Sequence, residues 1–591
     1  MVSKNDVKFD IVVVLLSILQ YLLIETGTRG FDVLKHPVNF VYWLAGISIF
    51  LVVNFLVALS LKKHFWIFGI ALTSIVCLFS FGTYFAYEYH GTPFTFMDIK
   101  NISTAMAVSD GYIDDILSFH KRYLQLLAIC ICGIAASLYL KKICIEKRHI
   151  VEVIIAVILC TYFWTGNVVP ENCVTWSWVF SINTYGYTPC LIRESINELE
   201  PVNKPSGYDK DEVERFVSDY KYDTGANTPD IIVILNESFY DLNQILDIEN
   251  SEEPITYIPS LDGAITGYAV TPNMAGGTNL SEYELLTSNS LEMMDTNVTP
   301  FQSLNLRGAN SIVSLLKKQG YDTLGTHNQE GKNYNRIVGY NDLGFDTIHF
   351  VDDYTGLDVF GNRTQFYTDE STYDNLLSWY ESMGDMPRFM YALTVQNHGP
   401  WTSNEPEQNI IDTTSDYSEY DLALDEYNSC VYLSDKAFET LVDYYDDSDR
   451  DVVIVMVGDH CPTIVPDIVD KYISDYDEDQ LQLDSRCVPY VIWSNNKELL
   501  KNKCTQEKIS MIYLLPTALE AAGAKLSGYY DYLVKIREQV PIITKYAYYY
   551  DSHGNQYIIG DSSEYSDLIS TYFDLEYASV SKESGLNDFF N

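Results

Sequence analysis

Positive charge is scarce in this chain: 38 Lys and Arg stand against 81 Asp and Glu, a formal net charge of −43 over 591 residues. A surface of that sign repels a phosphate backbone, which argues against nucleic acid as a partner. The excess reads as ordinary solvated surface, near which divalent cations can still be enriched. Cysteine, 11 residues in all, shows no metal-type spacing: Cys130 and Cys132 fall inside an apolar run, and Cys173, Cys190, Cys430, Cys461, Cys487 and Cys504 are scattered. A thiolate zinc site is therefore excluded, and no disulfide pairing is readable. Repeats and low-complexity tracts are also missing, so neither a solenoid nor a disordered array is expected.

What is present begins with five apolar stretches, at about 9 to 27, 39 to 61, 64 to 86, 122 to 140 and 149 to 169. Each approaches or exceeds the ~20 residues that a helix needs to cross a bilayer, and their centres carry no charge. They are predicted to be transmembrane helices. The first is the least typical, because Asp10 and Glu25 bracket an uncharged run of 14 residues. No small-residue A-x-A site follows it, so it reads as a retained span rather than a cleaved signal. Lys62, Lys63 and His64 lie in one connection and Lys141, Lys142, Lys147 and Arg148 in another. Positive loops stay in the cytoplasm, which with an odd number of spans puts everything after about residue 170 outside the cell membrane.

Four segments follow from composition: transmembrane helices over 1–169, a linker with short helices over 170–227, an outer α/β domain over 228–540, and a small antiparallel β-hairpin with a tail over 541–591. Between the third and fourth spans, a polar, partly amphipathic segment from Asp98 to Ile116 suits either an exposed loop or a piece lying along the headgroups. In the outer domain, strand-like runs alternate with helical ones at Ser311 to Gln319, Asp369 to Ser382, Tyr420 to Tyr445 and Lys508 to Ala522, and a further strand is expected over Pro489 to Ser494. That alternation predicts an α/β sandwich.

Four of the apolar runs end in residues that suit chemistry. Ile231 to Leu235 leads into Asn236-Glu237-Ser238-Phe239, Tyr321 to Thr326 into His327, Phe389 to Val395 into Gln396-Asn397-His398-Gly399-Pro400, and Val452 to Val457 into Gly458-Asp459-His460. Ligands in open α/β sheets sit at the carboxyl ends of the strands, so these residues are expected to converge on one pocket. Between the first two runs, Ala275-Gly276-Gly277-Thr278-Asn279 puts Thr278 at a helix N-terminus, where free N–H groups and the helix dipole favour a phosphoryl oxygen. A threonine hydroxyl is a weak nucleophile until something holds it as alkoxide. A divalent metal on Glu237, Asp459 and His460 would do that and neutralise phosphate charge.

On these residues the chain resembles the lipoteichoic acid synthases and related membrane phosphoglycerol transferases of the alkaline phosphatase and sulfatase superfamily. The resemblance runs over nearly the whole chain. It implies one metal ion, manganese or alternatively magnesium, held by Glu237, Thr278, Asp459 and His460, with Thr278 also the nucleophile. It further implies substrate contacts at His327, Arg336 and His398. An aromatic, often tryptophan, stands two residues before that arginine in the family; here it is Tyr334. The C-x-P-x-R motif of sulfatases is absent, which weighs against sulfate esters.

The resemblance thus implies glycerol phosphate moving from phosphatidylglycerol at the bilayer, through a phospho-threonine, to the terminal glycerol of a growing polyglycerolphosphate chain. Three alternatives compete: phosphoglycerol or phosphoethanolamine transfer to a polysaccharide or glucan, a phosphodiesterase of the same superfamily, and, outside enzymes, a silent membrane scaffold.

Overall fold

A computed structural model describes residues 4–31, 40–90, 93–94, 121–143, 150–165, 169, 178–197, 202–222, 225–294, 298–331, 333–473, 476, 478–500 and 507–591. The chain divides into two units, Met1–Glu200 and Pro201–Asn591. The predicted boundary at 169 lies within the first unit, the predicted linker 170–227 is divided between the two at residue 200, and 541–591 belongs to the second.

The first unit is helical: α1 (Lys4–Arg29), α2 (Phe40–Leu61), α3 (Phe65–His90), α4 (Lys121–Leu140), α5 (Ile150–Thr165), α6 (Trp178–Tyr185) and α7 (Tyr187–Asn197). Among the described residues three stretches are long and apolar enough to cross a membrane: Lys4–Arg29, Phe40–Phe85 and Lys121–Leu140. The middle one covers 46 residues, about twice what one crossing needs, and is interrupted by the 3-10 turn Lys62–His64 between α2 and α3. Helix α5, where the fifth span is predicted, has 16 residues. The amphipathic segment Asp98 to Ile116 and the basic pair Lys147 and Arg148 lie outside the described residues.

Close helix approach in this unit relies on glycine. A Cβ on Gly46 of α2 would meet the Tyr21 ring at 2.4 Å, and one on Gly69 of α3 would meet Ser137 of α4 at 2.6 Å. Polar side chains then join the helices: the Asn54 amide donates to Ser17 Oγ (2.9 Å) and Gln20 Oε1 (2.7 Å), and Gln20 donates to Thr73 Oγ1 (3.3 Å). Small residues and interhelical hydrogen bonds take the place of a hydrophobic driving force where the surroundings are themselves apolar. At one end, the buried Glu25 carboxylate accepts the N–H groups of Tyr187 (2.9 Å) and Thr188 (2.7 Å), which satisfies orphan donors in the first turn of α7.

The second unit is built on an eight-stranded sheet. In chain order its strands are β1 (Asp230–Asn236), β2 (Ile265–Val270), β3 (Asp322–His327), β4 (Thr347–His349), β5 (Arg388–Leu393), β6 (Val452–Gly458), β7 (Cys487–Ser494) and β8 (Lys508–Ser510). Their spatial order is β8-β2-β7-β6-β1-β5-β3-β4. All pairings are parallel except those of β7, which runs antiparallel to β2 and β6. Every residue of β1, β5 and β6 is buried, as expected of central parallel strands covered on both faces. That explains their unbroken Ile, Val and Met runs. Helices α8 (Lys210–Asp219), α9 (Thr278–Thr287), α10 (Arg336–Leu343), α11 (Asp369–Ser382), α12 (Asp421–Asp446), α13 (Ile464–Tyr472), α14 (Met511–Ala521), α15 (Gly528–Gln539) and α16 (Ser566–Val580) belong to the same unit.

Two predicted elements shift. The helix expected from Lys508 starts at Met511, because Lys508–Ser510 pairs with Tyr268–Val270 as an edge strand. The strand expected from Pro489 begins at Cys487, whose backbone pairs with Val270. After residue 540, Tyr548–Tyr550 and Gln556–Ile558 pair antiparallel, with Ile542–Ile543 as a third strand. The tail beyond them forms α16, whose Ile569, Tyr572, Phe573 and Leu575 join the main hydrophobic core.

Candidate active site

The carboxyl ends of β1 and β6 are adjacent, with Asn236 paired in register with Gly458. Both strands stop abruptly there. Ser238 turns the chain in the left-handed region (φ 46°), a conformation that costs a non-glycine residue on the order of 1–3 kcal/mol and is found where function demands it. A Cβ on Gly458 would lie 2.2 Å from the Phe239 carbonyl oxygen, so no larger residue fits where the two strand ends meet. The result is that Glu237, Asp459 and His460, all buried, present ligand atoms within 4.8 Å of one another.

Thr278 reaches this cluster from another direction. Gly276 (φ 70°) and Gly277 (φ 77°) form consecutive left-handed steps that start α9 at Thr278, a turn available at little cost only to glycine. The Thr278 hydroxyl donates towards Glu237 Oε2 at 3.4 Å and lies 3.5 Å from His460 Nε2. Ser281, one turn along, donates to the Asp459 carbonyl at 2.5 Å and ties α9 to the end of β6.

The donor set fits a divalent cation. His460 Nδ1 donates to the Cys461 carbonyl (2.9 Å), which leaves Nε2 with its lone pair towards Asp459 Oδ2 (3.1 Å) and Glu237 Oε1 (3.6 Å). Such a carbonyl partner is the usual way a ligating imidazole is oriented. Asp459 Oδ1 accepts the Ser238 N–H (2.7 Å), whereas Oδ2 is buried with no hydrogen-bond partner among the described residues. Burial, reinforced by the Glu237 charge, pushes the Asp459 carboxyl up to about 7. Burial pulls His460 down, but the carboxylates of Asp459 and Glu237 outweigh it and raise the imidazole above its ordinary value. Two carboxylates, an imidazole and a hydroxyl facing one space are hard-to-borderline ligands, suited to manganese, magnesium or zinc.

Of the residues expected to touch substrate, Tyr334 lies close enough to the cluster to feel the charges of Glu237 and Asp459. His327, at the end of β3, is buried, and its Nδ1 donates to the Leu393 carbonyl at 3.0 Å. Burial and then the Arg336 charge hold its pKa well below the ordinary value, so the imidazole is neutral. His398 caps the loop after β5, with Nδ1 2.6 Å from the Gly399 carbonyl and its ring stacked on Phe366 (5.2 Å, 17°). Tyr334 and Asn335 are both left-handed (φ 53° and 61°) immediately before α10, and the Tyr334 ring centroid lies 5.0 Å from the Arg336 guanidinium. Arg336 is buried and paired: Nε donates to Glu282 Oε2 at 2.8 Å, and Nη2 lies 2.7 Å from the same oxygen.

Several residues that sequence reading did not single out support these. Glu282 is one, and its signal was available, since four residues beyond Thr278 is one helical turn on the same face. Asp369, at the start of α11, accepts from Asn236 Nδ2 (2.7 Å) and Ser434 Oγ (2.6 Å), and burial pushes its carboxyl up to about 6 against those bonds. Arg363 pairs with Glu426, both fully buried, and donates to the carbonyls of Gln396, His398 and Pro400. It braces the His398 loop.

Comparison with known proteins gives the family and the fold. The model of the sulfatase family matches residues 229–524. A Rhizobium meliloti (strain 1021) protein named "Putative cyclic beta-1,2-glucan modification protein" is 26% identical over 422 residues, 68% of this chain and 64% of that one. An uncharacterized protein of Haemophilus influenzae is 25% identical over 39% of this chain and 44% of its own. The chain therefore spans less than two thirds of either relative. Among solved structures, the Streptococcus pyogenes phosphoglycerol transferase GacH, in complex with sn-glycerol-1-phosphate, shares the fold with a TM-score of 0.54 at 20% identity, covering 66% of this chain and 99% of that one.

Proposed function

Because the chain belongs to the sulfatase family, of the alkaline phosphatase superfamily, we propose that it is a metal-dependent phosphoglycerol transferase that takes glycerol phosphate from phosphatidylglycerol and passes it to a cell-envelope hydroxyl. One observation carries the reading: the Thr278 hydroxyl stands at a helix N-terminus within 3.5 Å of both a carboxylate and an imidazole of the buried ligand cluster. A serine or threonine kept only for packing does not need that company. When bound to Glu237, Thr278, Asp459 and His460, a manganese ion supplies the positive charge that favours the Thr278 alkoxide and offsets phosphate charge.

Thr278 Oγ1 forms a bond to phosphorus, the bond from phosphorus to the diacylglycerol oxygen breaks, and diacylglycerol leaves with a proton. The acceptor hydroxyl then attacks the same phosphorus, loses its proton, and frees Thr278 to take one up. Free N–H groups in the first turn of α9 face the phosphoryl oxygens. His327, held neutral, and His398 orient them by hydrogen bonding, and Arg336 provides a charge-assisted contact.

Two acceptors are compatible with this chemistry, the glycerol end of a polyglycerolphosphate chain and a hydroxyl of a polysaccharide or glucan. The relative named for cyclic glucan modification supports the second. The apolar helices of the first unit suit a lipid donor and a place in the cell membrane with the second unit on the outer side. Incubating the purified chain with manganese and labelled phosphatidylglycerol, with and without a glucan, is the test. Diacylglycerol release together with a phosphoglycerol-bearing product is expected; unchanged release by a Thr278→Ala protein would refute the reading.

A further inference from the structure

Resting on that reading, we propose that Glu282 is a positioning residue: through it, the helix that carries Thr278 aims the Arg336 guanidinium at the phosphate. Glu282 lies one turn beyond Thr278 on α9, fully buried, and three groups converge on its carboxylate. Arg336 donates Nε to Oε2 at 2.8 Å with Nη2 2.7 Å from the same oxygen, Tyr340 donates to Oε1 at 2.6 Å, and Tyr391 donates to Oε1 at 3.3 Å. Tyr391 sits in the central strand β5 and Tyr340 in α10, so sheet, arginine helix and α9 are fixed to one another at this carboxylate.

The pairing answers a physical problem. A buried guanidinium with no counter-charge is strongly unfavourable and would turn away to solvent. Burial works against the charge of Arg336, but Glu282 and Tyr340 outweigh it, and the guanidinium stays charged. With Nε and Nη2 engaged, among the described residues Nη1 has no partner and is the edge left for a ligand. The Arg336 guanidinium also lies over the Tyr334 ring and its charge reaches His327, so it stands close to two of the expected substrate contacts. A single turn of α9 thus sets the separation between the nucleophile and the guanidinium, and a rigid i to i+4 spacing holds it.

A double-mutant cycle on the manganese-loaded full chain tests this, read as affinity for sn-glycerol-1-phosphate by calorimetry and as kcat and KM for diacylglycerol release. Glu282→Gln, which keeps the shape but removes the charge, is expected to weaken binding about tenfold. In an Arg336→Ala background the same change is expected to alter binding by less than about twofold, because the group it acts through is gone. Tyr340→Phe keeps the ion pair and serves if Glu282→Gln does not fold; it is expected to give a smaller loss that also vanishes without Arg336. Equal losses in both backgrounds, or no loss in the first, would overturn the proposal. A wild-type chain that binds glycerol phosphate but releases no diacylglycerol would remove the transfer reading while the cycle still decides Glu282. No affinity for glycerol phosphate at all would overturn both.

Discussion

Strand β1 has a buried carboxylate at each end, and the two are treated in opposite ways. At its start, Asp230 is satisfied: Arg450 donates Nε and Nη2 at 2.5 and 2.7 Å, Tyr380 its hydroxyl at 2.7 Å, and Arg388 its backbone N–H at 2.9 Å. Just beyond its end, Glu237 faces a second carboxylate, Asp459, across 3.6 and 3.1 Å contacts to the same imidazole nitrogen. The first arrangement stabilises the fold. The second leaves two carboxylates sharing one imidazole in a buried site, a cost that persists because a cation can relieve it. Seven strand residues therefore connect a structural end to a chemical one.

The largest expected effect breaks the chemical end. Thr278→Ala should lower diacylglycerol release by about a thousandfold or more, since it removes the atom that forms the bond. Its melting temperature should stay close to that of the wild type, because the contacts of the Thr278 hydroxyl with Glu237 and His460 are long, 3.4 and 3.5 Å. A residual rate within tenfold of wild type would place the nucleophile elsewhere.

Next comes a buried carboxylate outside both ends. Glu284 accepts one N–H, from Leu291 at 2.8 Å, and burial pushes its carboxyl up to about 8 against that bond. Between the ordinary value of 4.5 and 8 the unfolded chain is ionised at this position while the folded chain keeps the proton. Unfolding then releases a proton, so stability is lost as pH rises through this window, by at most about 1.4 kcal/mol per pH unit. Glu284→Gln should flatten the fall in melting temperature between pH 5 and pH 8. An unchanged slope would mean that the carboxylate is better solvated than its burial implies.

The structural end gives a smaller but definite loss. Asp230→Asn leaves Arg450 without its charge partner, and because that arginine side chain is 35% exposed, water recovers part of the cost. A destabilisation of about 2 kcal/mol is expected, measured by denaturant unfolding, with metal affinity unchanged.

The chemical end was far more legible in sequence than the structural one. Asn236-Glu237-Ser238, the glycine pair before Thr278 and Gly458-Asp459-His460 are local patterns, and packing alone does not call for metal-type ligands directly after a buried strand run. The braces were not legible. Arg363 meets Glu426 63 residues away and Arg450 meets Asp230 220 residues away; such pairs are decided by how layers pack, and nothing local marks them. The first apolar run, the least typical in sequence, lies in a helix long and apolar enough to cross a membrane, Lys4–Arg29, whereas α5 covers 16 of the described residues. Helix α16 went unread because its buried face mixes Ile569, Tyr572, Phe573 and Leu575 with Glu576 and Ser579, which blurs the helical period.

The smallest expected effect carries the comparison in its sign. If Asp459 is held against Glu237 for the sake of a cation, Asp459→Asn should raise the melting temperature of chelator-treated protein, by about 1 kcal/mol in stability, since it removes like-charge repulsion from a buried site. The same change should abolish the increase that manganese gives the wild-type chain, because binding to the folded state is what supplies that increase. Asp230→Asn should do the reverse on both counts, destabilising the metal-free protein and leaving the manganese shift intact. If both asparagine variants destabilise the chelator-treated protein alike, the Glu237 and Asp459 pair is held together by hydrogen bonds rather than strained by charge, and the contrast between the two ends of β1 disappears.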